Sequence, residues 1–322
     1  MSNAARRNHY DVTNAVHIAD PRAVQQAITP LLLAYDAALE LQPLAAAFRC
    51  FTALYAGTLP GHAGCDTRYH DAQHSLDCAL ACARLLDGHR RGAPVAQRLQ
   101  PRQALLTVIV ALFHDAGYVR RNDDAARNGA EYTLTHVSRS ADFLRTLLPQ
   151  LGFAAEAELA SRIVHFTGYE IALDAIDVAD PQHRLMGHIV GTADLLAQTA
   201  DRCYLEKCRD YLYPEFEQCG LAGPARADGP APVYDSVRSL LRSSIEFNRR
   251  LWDERLDGAF GAVHRYFDQH FNGPDRYRAA VHDNLDRIGA MIAADDFSGL
   301  TRRPNAITRE PLRRLLARPP TN

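Results

Sequence analysis

Apolar residues recur at intervals of three and four along nearly the whole chain, and alternating β-branched runs bounded by turns are missing. This pattern predicts helices over about 22–40, 44–56, 69–88, 100–115, 130–148, 155–167, 183–199, 201–218, 234–251, 255–271 and 276–294, with a last short helix near 309–317. The expected fold class is therefore all-α. The longest apolar run, 104–113 with Thr107 inside it, is too short to span a bilayer and reads as a buried core helix. Two stretches break the pattern. One, 58–66, holds Pro60, Gly61 and Gly64; the other, 219–232, is rich in Gly, Pro and Ala and cannot continue a helix. The breaks divide the chain into an N-terminal helical buttress (1–58), a central core (65–220) and a C-terminal helical region (234–322).

At 322 residues the chain exceeds what one core usually fills, so the expectation is one large helical domain with attached helices or two subdomains. Its net charge of -2, with acids and bases interspersed, offers no basic field for a nucleic-acid backbone and leaves any phosphate binding local. The first residues carry Arg6 and Arg7 but no apolar stretch behind them, unlike a secretory signal, and no membrane segment follows. The seven cysteines form no C-x-x-C pair and are expected as reduced thiols, which points to the cytoplasm. Cys78 and Cys82 share a helical face and read as small apolar residues rather than zinc ligands.

Fourteen histidines are present, and most have ordinary surface or capping explanations, among them His17, His62, His89, His183, His264, His270 and His282. A smaller set sits at the ends or on the apolar faces of successive expected helices, where an unpaired polar group would be costly. His70 and His74, four apart, share a face of the expected helix 69–88. His114 and Asp115 close the apolar run before Gly117, which suits a helix C-cap. His136 falls in the helix after a polar loop, and His165 ends Ile163-Val164-His165-Phe166. Asp194 lies inside an apolar stretch where a carboxylate needs a partner. Neighbouring nitrogen and oxygen donors of this kind indicate a buried metal site.

In the order His, His-Asp, His, His, Asp, the series resembles the HD-domain metal-dependent phosphohydrolase superfamily over roughly residues 65–220. The element Tyr69-His70-x-x-x-His74 resembles that of class I cyclic-nucleotide phosphodiesterases. The resemblance implies an HD- or phosphodiesterase-like helical bundle with flanking helices at both ends. By position, His74, His114, Asp115 and Asp194 match the ligands of a first metal, Asp115 bridges to a second, and His70 matches the general acid. The segment from Tyr211 to Gly220 is similar to the helix that follows the distal Asp in those enzymes.

Tyr118 stands where the phosphodiesterase pattern places a second-site His, so the resemblance leaves His136 and His165 to supply that site. No Gln-x-Gly-Phe purine clamp follows residue 230, and cyclic-nucleotide specificity does not carry over. Glu131 is either a further ligand or base, or a first-turn acid favoured by the helix dipole. Arg120, Arg121 and Arg127 lie in the polar connection after the doublet and are expected either to fork onto substrate phosphates or to form a solvated loop. The implied activity is metal-dependent hydrolysis of a small phosphate ester, nucleotide-like in kind. One or two divalent ions (Mn, Zn, Mg, Fe or Co) would activate water and neutralise phosphoryl oxygens. His70 would protonate the leaving group, with its own proton held by an Asp contact that the sequence does not name. A di-iron oxygenase and a silent metal- or nucleotide-binding module are the competing readings. The C-terminal helices are expected to close one side of the core or to form a homodimer contact.

Overall fold

Prolines and short acidic caps mark where the helices start. Pro21, Pro101 and Pro181 open helices at positions whose N–H has no intrahelical partner, and Asp20 and Asp180 accept the backbone N–H of Arg22 and His183. The computed structural model describes residues 6–224 and 231–317; the middle of the expected linker, 225–230, lies outside them. Its helices are α1 (Pro21–Leu33), α2 (Gln42–Tyr55), α3 (Ala72–Gly92), α4 (Pro101–Leu112), α5 (His136–Leu147), α6 (Ala157–Ile163) and α7 (Pro181–Thr199). Helix α8 (Tyr204–Lys207) runs through a π turn, Cys208–Leu212, into α9 (Tyr213–Cys219). Helix α10 (Val237–Arg250) runs into a second π segment, Leu251–Ala259, and α11 (Tyr266–Phe271), α12 (Arg276–Ala294) and α13 (Arg309–Leu316) complete the order. Among the described residues, extended pairing is confined to isolated bridges such as His62 with Arg121. The fold is all-α, and no helix among the described residues is long and apolar enough to cross a membrane.

Two departures from the expected helices bear on the site. The stretch 130–148 is not one helix: Asn128 caps a short 3₁₀ turn, Gly129–Tyr132, and α5 starts only at His136. The expected break between 251 and 255 is absent, because the chain continues through the π segment and turns only near Ala262, whose φ is 58°.

Helix α3 is the axis of the molecule. It is buried from Ala72 through His89 and packs against α1, α4, α7 and α11. At Gly88 the backbone of α11 comes so close that an added Cβ would lie 1.8 Å from the Tyr266 carbonyl oxygen, so only glycine admits this crossing. One hydrophobic core takes in Ile28 and Phe51 from the N-terminal segment, Leu80 and Ile109 from the centre, and Phe260, Tyr277 and Leu312 from the C-terminal segment. The three segments read from the sequence therefore share a continuous core. A second cluster joins Tyr69, Tyr204, Tyr211, Leu240 and Ile288.

The buried polar groups of α3 hold other segments in place. Arg84 pairs with Asp11 at 2.5 Å and donates to the Tyr277 hydroxyl at 3.0 Å. Asp87 accepts from His270 of α11 at 2.8 Å. Two groups are exceptions, buried without a hydrogen-bond partner: His89 at its Nδ1, and Asp77 at its Oδ1. Burial, reinforced by Asp11 and Asp201 and opposed by Arg84 and Arg6, pushes its pKa up to about 7. An acid with a raised folded-state pKa makes the native state hold more protons than the unfolded state, so stability falls as pH rises between the two values. We expect Asp77→Asn to leave stability unchanged near pH 4 and to raise it progressively toward pH 7. The ceiling is on the order of 4 kcal/mol, from about 1.4 kcal/mol per pKa unit. Denaturant melts of both proteins across pH 4–8 check this; parallel pH profiles would defeat it.

Candidate metal centre

The start of α3 is set by Asp71, whose Oδ1 accepts the His74 backbone N–H at 3.0 Å. Its Oδ2 accepts the Ile307 N–H at 2.6 Å and so ties the segment before α13 to the same cap. His70 consequently stands in the turn outside the helix, which corrects the expectation that His70 and His74 share one helical face. His74 occupies the first turn of α3. His114 and Asp115 follow the end of α4, and Asp194 comes from the buried middle of α7.

These elements bring donor atoms together. His74 Nε2 lies 3.2 Å from His114 Nε2, 3.5 Å from Asp115 Oδ2 and 3.1 Å from Asp194 Oδ1. His114 Nε2 lies 3.3 Å from Asp115 Oδ2 and 3.4 Å from Asp194 Oδ1. Ligands about 2.1 Å from an ion are separated by about 3.0 Å at adjacent octahedral corners and about 3.4 Å in a tetrahedron. The measured spacings fall around those edges. The His114 ring presents Nε2 to the cluster because its Nδ1 meets the Ala111 carbonyl at 2.8 Å. Asp115 Oδ2 is buried with no hydrogen-bond partner. His74, His114 and Asp115 form a buried group able to hold a metal ion, and the orphaned oxygen and the mixed nitrogen and carboxylate donors suit a divalent cation.

His136, the first residue of α5, directs its Nδ1 to the Thr133 carbonyl at 2.8 Å and its Nε2 to Asp115 Oδ1 at 3.6 Å. This approach depends on Gly117, where an added Cβ would lie 1.9 Å from the His136 carbonyl oxygen. Gly117 is thus a close-packing residue in a 3₁₀ turn, not the left-handed C-cap expected from the sequence. The N-terminus of α5 is capped from outside by Glu170, which accepts the backbone N–H of Val137 and Ser138 at 2.7 and 3.0 Å.

Other expected site residues are placed elsewhere. His165 sits on a 3₁₀ turn with Glu170, Arg145 and Asp142 as its charged neighbours, away from the carboxylates of the cluster. Glu131 accepts the backbone N–H of Arg127 and Asn128 at 2.7 and 3.3 Å, which makes it half of a capping box and not a ligand or base. Arg120 is paired with Asp66 at 2.9 Å and donates to the Ala126 carbonyl. Arg121 and Arg127 are held at their backbone N–H by Asp124 and Glu131. None of these three arginines lines the cavity described below, so the expected phosphate rim is a folded surface loop.

The sequence missed Glu215. Its Oε2 lies 2.7 Å from His70 Nδ1, while Oε1 accepts the backbone N–H of Arg68 and Tyr69 at 2.5 and 2.7 Å. The expected Asp contact to His70 is therefore a glutamate of α9, within the segment Tyr211–Gly220 that the sequence had singled out. Burial alone would push the His70 imidazole toward neutrality; the Glu215 hydrogen bond and charge, with Asp115 and Asp194 behind, outweigh it and raise the pKa. The Tyr118 ring packs nearly parallel to both His70 and His136, with centroids 4.2 and 4.3 Å apart. Asp115 and Asp194 are opposed by burial, but the His114 charge holds both below the usual carboxylate range. His114 is raised well above its ordinary value, because Asp115, Cys78 and Asp194 overcome its own burial.

The cluster forms one end of a cleft of about 350 Å³ whose far walls come from α7, α8, α9 and α10. No family model matches the chain, and no curated protein or solved structure matches it.

Loading a divalent ion requires the His114 Nε2 lone pair, and the raised pKa of that imidazole makes a proton compete for it. We therefore expect metal binding to release at least one proton, so that apparent affinity rises by about tenfold per pH unit per proton released as pH increases toward the His114 pKa. Calorimetric Mn²⁺ titrations in two buffers of different ionisation enthalpy count the protons; zero release would refute the assignment.

Proposed function

We propose that the protein is a metal-dependent phosphohydrolase in which His74, His114, Asp115 and Asp194 hold one divalent ion and Asp115 and His136 contribute to a second. The observation that carries this reading is the placement of Asp115. Its Oδ2 faces His74 and His114 while its Oδ1 faces His136, the arrangement of a carboxylate shared between two cations. The HD-domain resemblance supports the same assignment, with His136 in the role that Tyr118 cannot fill.

Dications held there would lower the pKa of bound water and neutralise the phosphoryl oxygens. The chain's own part is the leaving group. Glu215 keeps the His70 ring oriented and protonated, and Nε2, 3.4 Å from the Tyr118 hydroxyl, is turned away from Glu215 and free to deliver its proton. As the bond from water oxygen to phosphorus forms, the ester P–O bond breaks and the departing alkoxide takes that proton. A proton donor held in this way favours hydrolysis over C–H oxidation, which has less use for it.

The test pairs metal analysis of protein purified without chelator or nickel resin with hydrolysis of bis(p-nitrophenyl) phosphate under Mn²⁺. Asp115→Ala is expected to lose metal and turnover together. His70→Ala should retain metal and slow turnover of an alkyl phosphate ester by about 10²- to 10⁴-fold, with a smaller loss on the nitrophenyl ester, whose leaving group departs without a proton. Glu215→Gln removes the charge that raises the His70 pKa, so the loss of rate at alkaline pH should set in at lower pH than in the parent. An unchanged rate on the alkyl ester in His70→Ala would overturn its role, and metal-loaded protein that hydrolyses no ester would overturn the reading itself.

A further inference from the structure

The wall of the cleft beyond the metal cluster is unusually poor in groups that read polar ligands. Among the described residues no arginine or lysine lines it. Lys207, the chain's single lysine, is bound to Asp201 at 2.6 Å. The hydroxyls of Thr133, Thr167, Ser243 and Ser244 line the wall, yet each donates its proton to a nearby backbone carbonyl. Gln198 brings an amide, and its carbonyl oxygen accepts from the Tyr69 hydroxyl at 3.3 Å. Glu170 also lines the cleft, but its carboxylate accepts the Val137 and Ser138 N–H and the Ser138 hydroxyl. Tyr204 and Tyr234 add hydroxyls and Cys208 a thiol; the rest of this wall is apolar, with Leu212, Phe216, Leu221, Leu240 and Phe247.

The apolar character continues past the mouth. Large hydrophobic side chains stand exposed there, with Leu134 at 60% and Tyr169 at 68% lining the opening. The Arg255 guanidinium, 3.7 Å from the Tyr169 ring centroid and within charge range of Asp194, donates to the Gly168 carbonyl at 2.8 Å and the Phe166 carbonyl at 3.5 Å from behind the lining residues.

A second or third phosphate on a substrate would enter such a wall with no cation to meet it, and stripping water from that charge without a partner is costly. A nucleobase or sugar would likewise leave its donors and acceptors largely unpaired. We infer that the substrate is the ester of a single phosphate with a largely apolar alcohol, its phosphate on the metal centre, its hydrocarbon in the cleft and its far end along the exposed apolar rim. The inference rests on the phosphohydrolase reading for its chemistry but not for its recognition, so binding tests it separately from turnover.

The probes are n-alkyl phosphonates, which present one phosphate-like head and resist hydrolysis, titrated calorimetrically into Mn²⁺-loaded protein. Methyl, butyl and octyl phosphonate should bind in rising order. Full burial gives a ceiling of about 4-fold per methylene, and a gain of at least about tenfold from butyl to octyl is expected. Adenosine 5′-monophosphate should bind more weakly than octyl phosphonate. Leu134→Ser, at an exposed position that folding does not depend on, should lower the octyl-to-butyl affinity ratio severalfold. A flat series, tighter binding of the nucleotide, or an unchanged ratio in Leu134→Ser would overturn the inference. A rising series on a protein that hydrolyses no ester would keep it and sink the hydrolase reading instead.

Discussion

An unpaired charge on a helix buried on every side costs several kcal/mol, so its polar residues favour partners inside the protein. Helix α3 carries several, and the segments around it are positioned by the pairings. Arg84 draws in Asp11 and with it the N-terminal loop; Asp87 draws in His270 and α11. Ser75 meets the Tyr55 hydroxyl of α2 at 2.9 Å, and Gln73 meets His9 at 2.6 Å. The donor cluster follows from the same requirement. His74 belongs to this helix, and the groups that complete its surroundings, Asp115 and Asp194, are acids placed in otherwise apolar elements. Two carboxylates and two imidazoles packed this closely are balanced either by protons on the imidazoles or by a cation between them. The choice between those states couples metal loading to pH.

Much of this was legible in the residues. Periodicity was sufficient for the helical class, because a buried helix such as α4 leaves an unbroken apolar run that strands of this length would interrupt with turns. The four donors of the first cluster stood out because each is a polar residue in an apolar setting. Helix ends were less legible: Asp71 caps α3 and removes His70 from it, a one-residue matter of hydrogen bonding that spacing does not reveal. His165 looked equivalent to His136, since both border apolar segments. The 3₁₀ turns around them send the two rings to different places, and only His136 is drawn to Asp115, by the close approach that Gly117 permits. Glu215 was missed, and the arginine loop left open between a phosphate rim and a solvated loop, for a related reason. Charged residues are abundant, and which of them is taken up by local caps and ion pairs depends on tertiary neighbours distant in sequence, such as Asp66 for Arg120.

The arginines show how charge near a site differs from charge in it. Arg120 is tied to Asp66, and Glu131 and Asp124 hold the backbone beside it, so the loop after the doublet is a scaffold that fixes Tyr118 and the start of α5. With those cations engaged, no arginine or lysine among the described residues lines the cleft, and its charged lining is the histidines and carboxylates of the cluster with Glu170. The same economy of charge that gives the chain its small net charge is thus repeated at the scale of the cleft.

One wall of that cleft contains a π-helical turn and a second π segment follows α10 behind the other, and these explain how residues with unrelated tasks share one helix. In the run from α8 to α9, Tyr204, Cys208 and Leu212 line the cleft. An α-helix advances about 100° per residue, so the extra residue of the Cys208–Leu212 π turn rotates everything after it by roughly that angle. Glu215 is thereby presented to His70 while Phe216 stays on the apolar wall. The second π segment, after α10, carries Arg255 to the Gly168 carbonyl and so steadies the loop that holds Tyr169 at the mouth and Glu170 on the α5 terminus. A regular α-helix between α8 and α9 would re-aim everything after Leu212, Glu215 and Phe216 alike. The Glu215 contact to His70 and the lining of the cleft therefore depend on the same local irregularity, and a substitution that regularised the turn would disturb both together.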